Sequence, residues 1–367
     1  MAKWPLKMLV KGASWVRYYQ LNRLYFKGLK VTEAVTTTNK FLVSPVRVGL
    51  VGTGYAAKLR AEAIAAESRA QLVAVAGHRP EKTEVFSRTY GAVAEVSWRR
   101  LVEREDLDLV MISTISRDHD LIARAALLAG KHVVVEYPLS FSVAEAESLI
   151  ALSESLGLLL HVEHIELIGG VHQALRKEIP LVGEVFYSRY ITVSPKKQAP
   201  YSWSYQADLF GFPLTGALSR LHRLTDLFGK VATVSSEIRY WNASQPGFFR
   251  ACLCTAQLRF LSGVVAEVVY GKGETFCSAE RKLEVYGNDG VLIFEGDEGR
   301  LVRAEVVEPV DVGPRRGSFA KDTQMVIDFL LEGTPLYVTP QASLYTLKVA
   351  DAASQSAQTG LTVAVDG

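Results

Sequence analysis

The chain lacks any apolar run of about 18 residues, the minimum for crossing a bilayer, so no membrane span is expected. Cysteine is scarce: Cys252, Cys254 and Cys277 are the only three in 367 residues, an odd set without metal spacing. Cys252 and Cys254 are expected on opposite faces of an apparent strand, unable to share a ligand, as reduced buried thiols of a cytoplasmic protein. A net charge of +2 gives no electrostatic reason to expect nucleic acid. No compact apolar segment with a small-residue cleavage site marks a secretory signal, and there is neither an internal repeat nor a low-complexity segment. His161-x-Glu163-His164 on a strand would split its ligands between faces, so no metal site is expected.

What is present is informative from residue 46 onward. Val46–Val51 is an apolar strand that runs into Gly52-x-Gly54-x-x-Ala57 and then a helix-prone run, Ala56–Glu67. In that context Gly52 permits the tight turn, Gly54 lets backbone approach a pyrophosphate, and Ala57 lets helix and strand pack closely. The phosphates would sit on the helix N-terminus. Further apolar runs at Gln71–Gly77, Leu109–Thr114, His132–Glu136 and Leu158–Glu163 alternate with helices such as Arg117–Ala129 and Val143–Leu156. Continuous apolar strands between helices signal a parallel sheet covered on both faces.

After about residue 165 the period changes. Glu184–Val193, Val231–Trp241, Ala251–Phe260, Val264–Tyr270, Lys282–Tyr286 and Val291–Glu295 read as an antiparallel meander joined by short turns. A helix at about Gly216–Phe228 precedes most of it, and two amphipathic segments, about Ser318–Leu331 and Gln341–Gln358, follow. The fold class expected is therefore α/β plus α+β. A Rossmann dinucleotide-binding domain would span 45–165 and an open, mainly antiparallel sheet domain with C-terminal helices 166–367. Residues 1–44 are basic, with Glu33 their single acid, and interleaved with aromatics. They are expected to be a disordered or non-native extension, the alternative being a surface- or partner-binding helix.

The end of the second strand selects the nucleotide. It reads Gly77-His78-Arg79, with no carboxylate before Glu81 to accept from a ribose 2′-hydroxyl. Arg79 can fork onto a 2′-phosphate, a contact worth about 1.5–3 kcal/mol, so NADPH is expected over NADH; a solvated loop charge is the plainer alternative. Tyr55 in the turn and Thr114 ending the third strand complete the expected cofactor set.

The order of parts resembles the glucose–fructose oxidoreductase/inositol dehydrogenase family across 46–360. Where that family usually carries Ala-Gly-Lys-His-Val…Glu-Lys-Pro, this chain reads Ala129-Gly130-Lys131-His132-Val133-Val134-Val135-Glu136-Tyr137-Pro138. Where sugar-oxidising members use Asp-x-Gly-x-His-x-x-Asp, alignment on Asp226 puts Ser219, Leu221 and Arg223 at the first three positions. Oxidising an alcohol needs a base to take the hydroxyl proton, and tyrosine or arginine cannot easily serve near neutral pH. The site is thus expected to reduce an electron-poor acceptor.

These departures resemble the biliverdin reductase branch, in Gly130–Leu139, Leu160–Leu167, Gly211-Phe212-Pro213, Ser219-Arg220-Leu221, Asp226–Gly229 and Tyr270–Glu274. The resemblance implies NADPH-dependent reduction of biliverdin IXα to bilirubin IXα, with hydride on the C10 methine carbon and a proton on a pyrrole nitrogen. Arg220 matches the arginine of that branch's Ser-Arg-Leu segment and is expected to polarise the ring nitrogen or orient a water. Tyr137 and Glu136 are the other catalytic candidates. Tyr137 would stack on or bond the tetrapyrrole, and Glu136 would hold a ring N–H or the nicotinamide ribose. His164, Ser219, and Arg189 and Lys272 for the two propionates, complete the expected substrate contacts. An NADP-dependent sugar or cyclitol oxidoreductase and a non-catalytic NADP-binding regulator are the alternatives; the oligomeric state is left open.

Overall fold

A computed structural model describes residues 41–313 and 316–366. The expectation for the basic extension therefore lies outside the described residues for 1–40. Residues 41–44 do belong to the fold: the Leu42 N–H donates to the Leu330 carbonyl at 3.0 Å, and Leu42 packs on the first core.

Six strands build the first sheet: β1 (Val46–Val51), β2 (Ala70–Ala76), β3 (Val93–Glu95), β4 (Leu109–Ile112), β5 (His132–Glu136) and β6 (Leu160–Glu163). They lie in the order β3-β2-β1-β4-β5-β6, every neighbouring pair parallel. Helix α1 (Tyr55–Ala66) follows the glycine turn, and α2 (Pro80–Tyr90), α3 (His119–Leu128) and α4 (Val143–Leu156) punctuate the later strands. The stops are built as the sequence implies. Ser142 Oγ accepts from the Glu145 N–H at 3.3 Å, and Gly157 closes α4 with φ +64°. Apolar side chains fill both faces: Val46, Val48 and Leu50 with Ala57 and Ile64 on one, Ile112, Val133 and Leu149 on the other.

Nine strands form the second sheet: β7 (Val185–Pro195), β8 (Val231–Asn242), β9 (Phe249–Phe260), β10 (Val265–Gly273), β11 (Glu280–Gly287), β12 (Gly290–Glu295), β13 (Glu298–Arg303), β14 (Val306–Val310) and β15 (Val363–Ala364). Their order is β14-β13-β12-β11-β7-β10-β9-β8-β15. It is not a simple meander, because β7 inserts between β11 and β10 and runs parallel to β10. Helix α5 (Leu218–Phe228) covers the inner face with α7 (Pro340–Thr359), burying Leu218, Leu221, Val349 and Ala353 against Val234, Ala256, Val268 and Leu283.

Two expectations are corrected here. Helix α6 (Ser318–Glu332) does not join the second domain; Val326, Ile327 and Leu330 pack on the first sheet beside α1. Its apolar stripe matches the nearer unfilled sheet face, whatever its place in the chain. Cys252 and Cys254 do not face apart: residues two apart on a strand share a face, and both thiols are buried on the inner side of β9. Among the described residues no helix is long and apolar enough to cross a membrane.

Candidate active site

The glycine turn is shaped to hold a phosphate group. Gly52 has φ +133°, and a Cβ there would lie 2.2 Å from the Ser113 carbonyl oxygen, so only glycine fits. A Cβ on Gly54 would meet nothing within 4 Å, leaving open space above the N-terminus of α1. That 12-residue helix has no side-chain cap and no acid in its first turn, so its leading N–H groups are free for an anion. Gly77 packs on Thr53 of the turn, which places exposed His78 and Arg79 beside it. Tyr55, 79% exposed, and Thr114, at the end of β4, flank the same edge. The residues present therefore fit a dinucleotide.

A second cluster forms where β5, the loop after β6 and α5 meet. Tyr137 Oη is within reach of Ser219 Oγ at 3.1 Å and Glu166 Oε1 at 3.3 Å, and its single proton goes to one or the other. Arg220 Nη1 donates to Ser219 Oγ at 2.7 Å and lies 3.9 Å from Glu166 Oε1. Arg220 and Glu166 line a cavity of about 750 Å³ whose other walls include Thr192, Ser194, Arg281 and Lys282 of the sheet and the acids Glu280 and Glu295. Burial works against the charge of Arg220, but Tyr190, Tyr137 and Glu166 outweigh it and hold the guanidinium above its ordinary pKa. Burial, reinforced by Glu166, pushes the Tyr137 phenol well above its usual value, so it stays a hydrogen-bond donor. Tyr190 differs: burial pushes it up, yet Arg223, Arg220 and Arg281 overcome this and draw it below the ordinary value.

The structure brings Arg220 and Tyr137 together, with Ser219 as a 2%-exposed bridge between them rather than a cavity wall. Three other expectations change. Arg189 is turned away: Tyr190 and Thr192 occupy the inner face of β7, so the intervening parity sends Arg189 outward, 3.9 Å from Glu284. Lys272 is on the inner face but enclosed; its Nζ donates to the Ser204 carbonyl and lies 3.3 Å from the Phe210 ring centroid, between Tyr205 and Phe249. Burial holds it down to about 8, and it offers nothing to a propionate. His164 is fully buried behind Tyr137, its ring stacked on the phenol at 5.3 Å and its Nε2 paired with Ser343 Oγ at 2.9 Å. It supports Tyr137 and does not reach the cavity.

Glu136 is also committed, accepting from Arg60 Nε at 3.1 Å and Ser113 Oγ at 3.3 Å. Sequence reasoning missed Glu166, Tyr190 and Arg281. Glu166 stood inside a motif already singled out, and Arg281 was discoverable only through its register opposite Thr192.

The chain matches two family models, "Oxidoreductase family, NAD-binding Rossmann fold" over residues 46–164 and "Oxidoreductase family, C-terminal alpha/beta domain" over 181–365. A crystal structure of biliverdin reductase in complex with biliverdin and NADP+ from Synechocystis sp. PCC 6803 superimposes with a TM-score of 0.84 at 50% identity, covering 85% of this chain and 99% of that one. Human biliverdin reductase A is 31% identical over 172 residues, 47% of this chain and 55% of that protein. The match thus spans about half the length of that relative. Levoglucosan dehydrogenase in complex with NADH, 20% identical with a TM-score of 0.77 over 88% of this chain and 99% of its own, shares the fold.

Proposed function

The chain belongs to this two-domain oxidoreductase family, and on that premise we propose that it reduces biliverdin IXα to bilirubin IXα with NADPH. The observation that carries the reading is Arg220: a charged guanidinium, tethered by Ser219 and Glu166, facing a cavity where the sugar-oxidising pattern would put alcohol-deprotonating groups. The Gly52–Gly54 turn, the N-terminus of α1 and Thr114 would hold the dinucleotide, with His78 and Arg79 on its 2′-phosphate. When bound, NADPH supplies the hydride that reaches the C10 methine carbon.

This chain's own residues handle the proton and the charge. Arg220, its charge secured by Glu166 and the surrounding hydroxyls, lowers the cost of electron density accumulating on the pyrrole nitrogen and directs a water or its own N–H toward it. Tyr137, kept neutral, donates to Ser219 or Glu166 and holds Arg220 in place. Glu166 keeps the guanidinium paired between turnovers. A tetrapyrrole carries two carboxylates, and Arg281, which enters no ion pair among the described residues, faces the same cavity to receive one of them. Lys282 is already bonded to Glu284 at 2.8 Å and Glu295 at 3.3 Å, which makes Arg281 the better anchor.

Mixing the protein with NADPH and biliverdin should bleach the biliverdin absorbance and raise a bilirubin band, faster with NADPH than with NADH. Cofactor binding without colour change would instead indicate a regulator, and oxidation of a polyol a dehydrogenase.

A further inference from the structure

β5 and β6 run in parallel register with Glu136 directly opposite Glu163. Glu163 is 2% exposed and its Oε2 accepts from the Ile165 N–H at 3.0 Å; as register partners on neighbouring strands, Glu136 and Glu163 present their side chains side by side on one sheet face. Two carboxylate anions have no donor to share and repel, so setting them side by side away from water favours a proton on one acid. The surrounding charges say which. Glu136 accepts from Arg60 Nε at 3.1 Å, and Asp322 accepts from Arg60 Nη1 and from His161 Nε2 and Tyr337 Oη, both at 2.8 Å. Among the described residues Glu163 has no cation within 4 Å, and the one nearby guanidinium, Arg60, is already paired with Glu136 and Asp322.

We propose that Glu163 is a positioning residue: as the neutral acid it donates its hydrogen bond to Glu136 and fixes that carboxylate beside Ser113 and the Gly52 turn. Glu136 is thereby held facing the dinucleotide site, a consequence that rests on the functional reading above. The charged and titratable groups around Glu163 are Arg60 from α1, Glu136 and Tyr137 from β5 and its end, Asp322 from α6, Tyr337 ahead of α7, His161 on its own strand and Glu166 beyond it. Burial, then Glu136, holds the Glu163 proton well above the usual carboxylate range.

The test uses the full chain with Glu163→Gln, which keeps a donor, and Glu163→Leu, which does not. Infrared spectra of ligand-free protein at neutral pH should show a protonated-carboxyl band that Glu163→Gln removes. Because its folded pKa is raised, the contribution of Glu163 to wild-type stability is fully present below about 4.5 and falls as pH rises toward the folded value. Glu163→Gln should lack that one-proton slope. Its NADPH dissociation constant should stay within about twofold of wild type, while Glu163→Leu should bind roughly tenfold more weakly, as for one lost bond to a charged acceptor. An unchanged carboxyl band in Glu163→Gln overturns the proposal, as does tight NADPH binding by Glu163→Leu. Should Glu163→Leu not fold, the infrared band and the slope of Glu163→Gln still decide. A wild type that shows the band but binds no dinucleotide contradicts the functional reading while supporting the Glu163 proton.

Discussion

Arg60 and Arg220 are both enclosed guanidiniums among acids and hydroxyls, and they differ in what they leave open. Arg60, 0% exposed, bonds Glu136 at 3.1 Å, Asp322 and Thr323, and clips α6 beneath the helix of the nucleotide turn. Arg220 has a 20%-exposed side chain, one bond to Ser219 and its nearest carboxylate at 3.9 Å; Arg220 Nε and Glu166 Oε2 are buried without a partner among the described residues. Arg60 Nη2 is also without a partner among the described residues, but a guanidinium bonded to two carboxylates and shut off from solvent has its charge spent on the fold. One whose pairing is loose and whose wall is a cavity keeps donors for a ligand.

This contrast can be broken by substitution. The largest effect on stability is expected for Arg60→Leu, which strands Asp322 and Glu136 as buried charges and should cost about 3–5 kcal/mol in urea unfolding. If Arg60→Leu unfolds like wild type, the proposed division between a structural and a functional arginine fails. A smaller effect sharpens the cavity side: Arg281→Gln should raise KM for biliverdin about tenfold, roughly 1.4 kcal/mol, with kcat little changed. Arg189→Gln, on the opposite sheet face, should leave both constants alone. Equal effects of the two would mean the inner face is not the substrate face. The smallest expected change concerns Lys272, whose pKa burial lowers to about 8. Between there and its ordinary 10.5 the unfolded chain binds a proton that the folded chain does not. Stability therefore rises with pH across that window and is lost as pH falls through about 8. Lys272→Met should flatten that rise in melting curves, and an unaltered profile would remove Lys272 as its source.

Much of the first domain is legible from local pattern, because parallel strands covered on both faces are plain apolar runs and the glycine turn needs its residues at fixed spacing. The second domain is less so. The insertion of β7 beside β10 is a non-local pairing that no local period encodes, and β14, Val306–Val310, has three exposed side chains before Pro309. Side-chain direction is the other loss. Arg189 and Arg281 are both exposed arginines on adjacent strands, and only register shows that one faces outward and the other into the cavity. The Glu136–Glu163 contact is likewise a product of strand register. Tyr137 was recoverable because it stands where the family's pattern is broken, and Arg220 because it matches the Ser-Arg-Leu segment of the branch that the chain resembles.

The most direct measurement is the rate of bilirubin formation by Arg220→Ala, taken together with its dissociation constants for NADPH and biliverdin. The account predicts turnover reduced by about 10²–10³, with NADPH binding and the melting temperature close to wild type. Near-wild-type turnover by Arg220→Ala would contradict it.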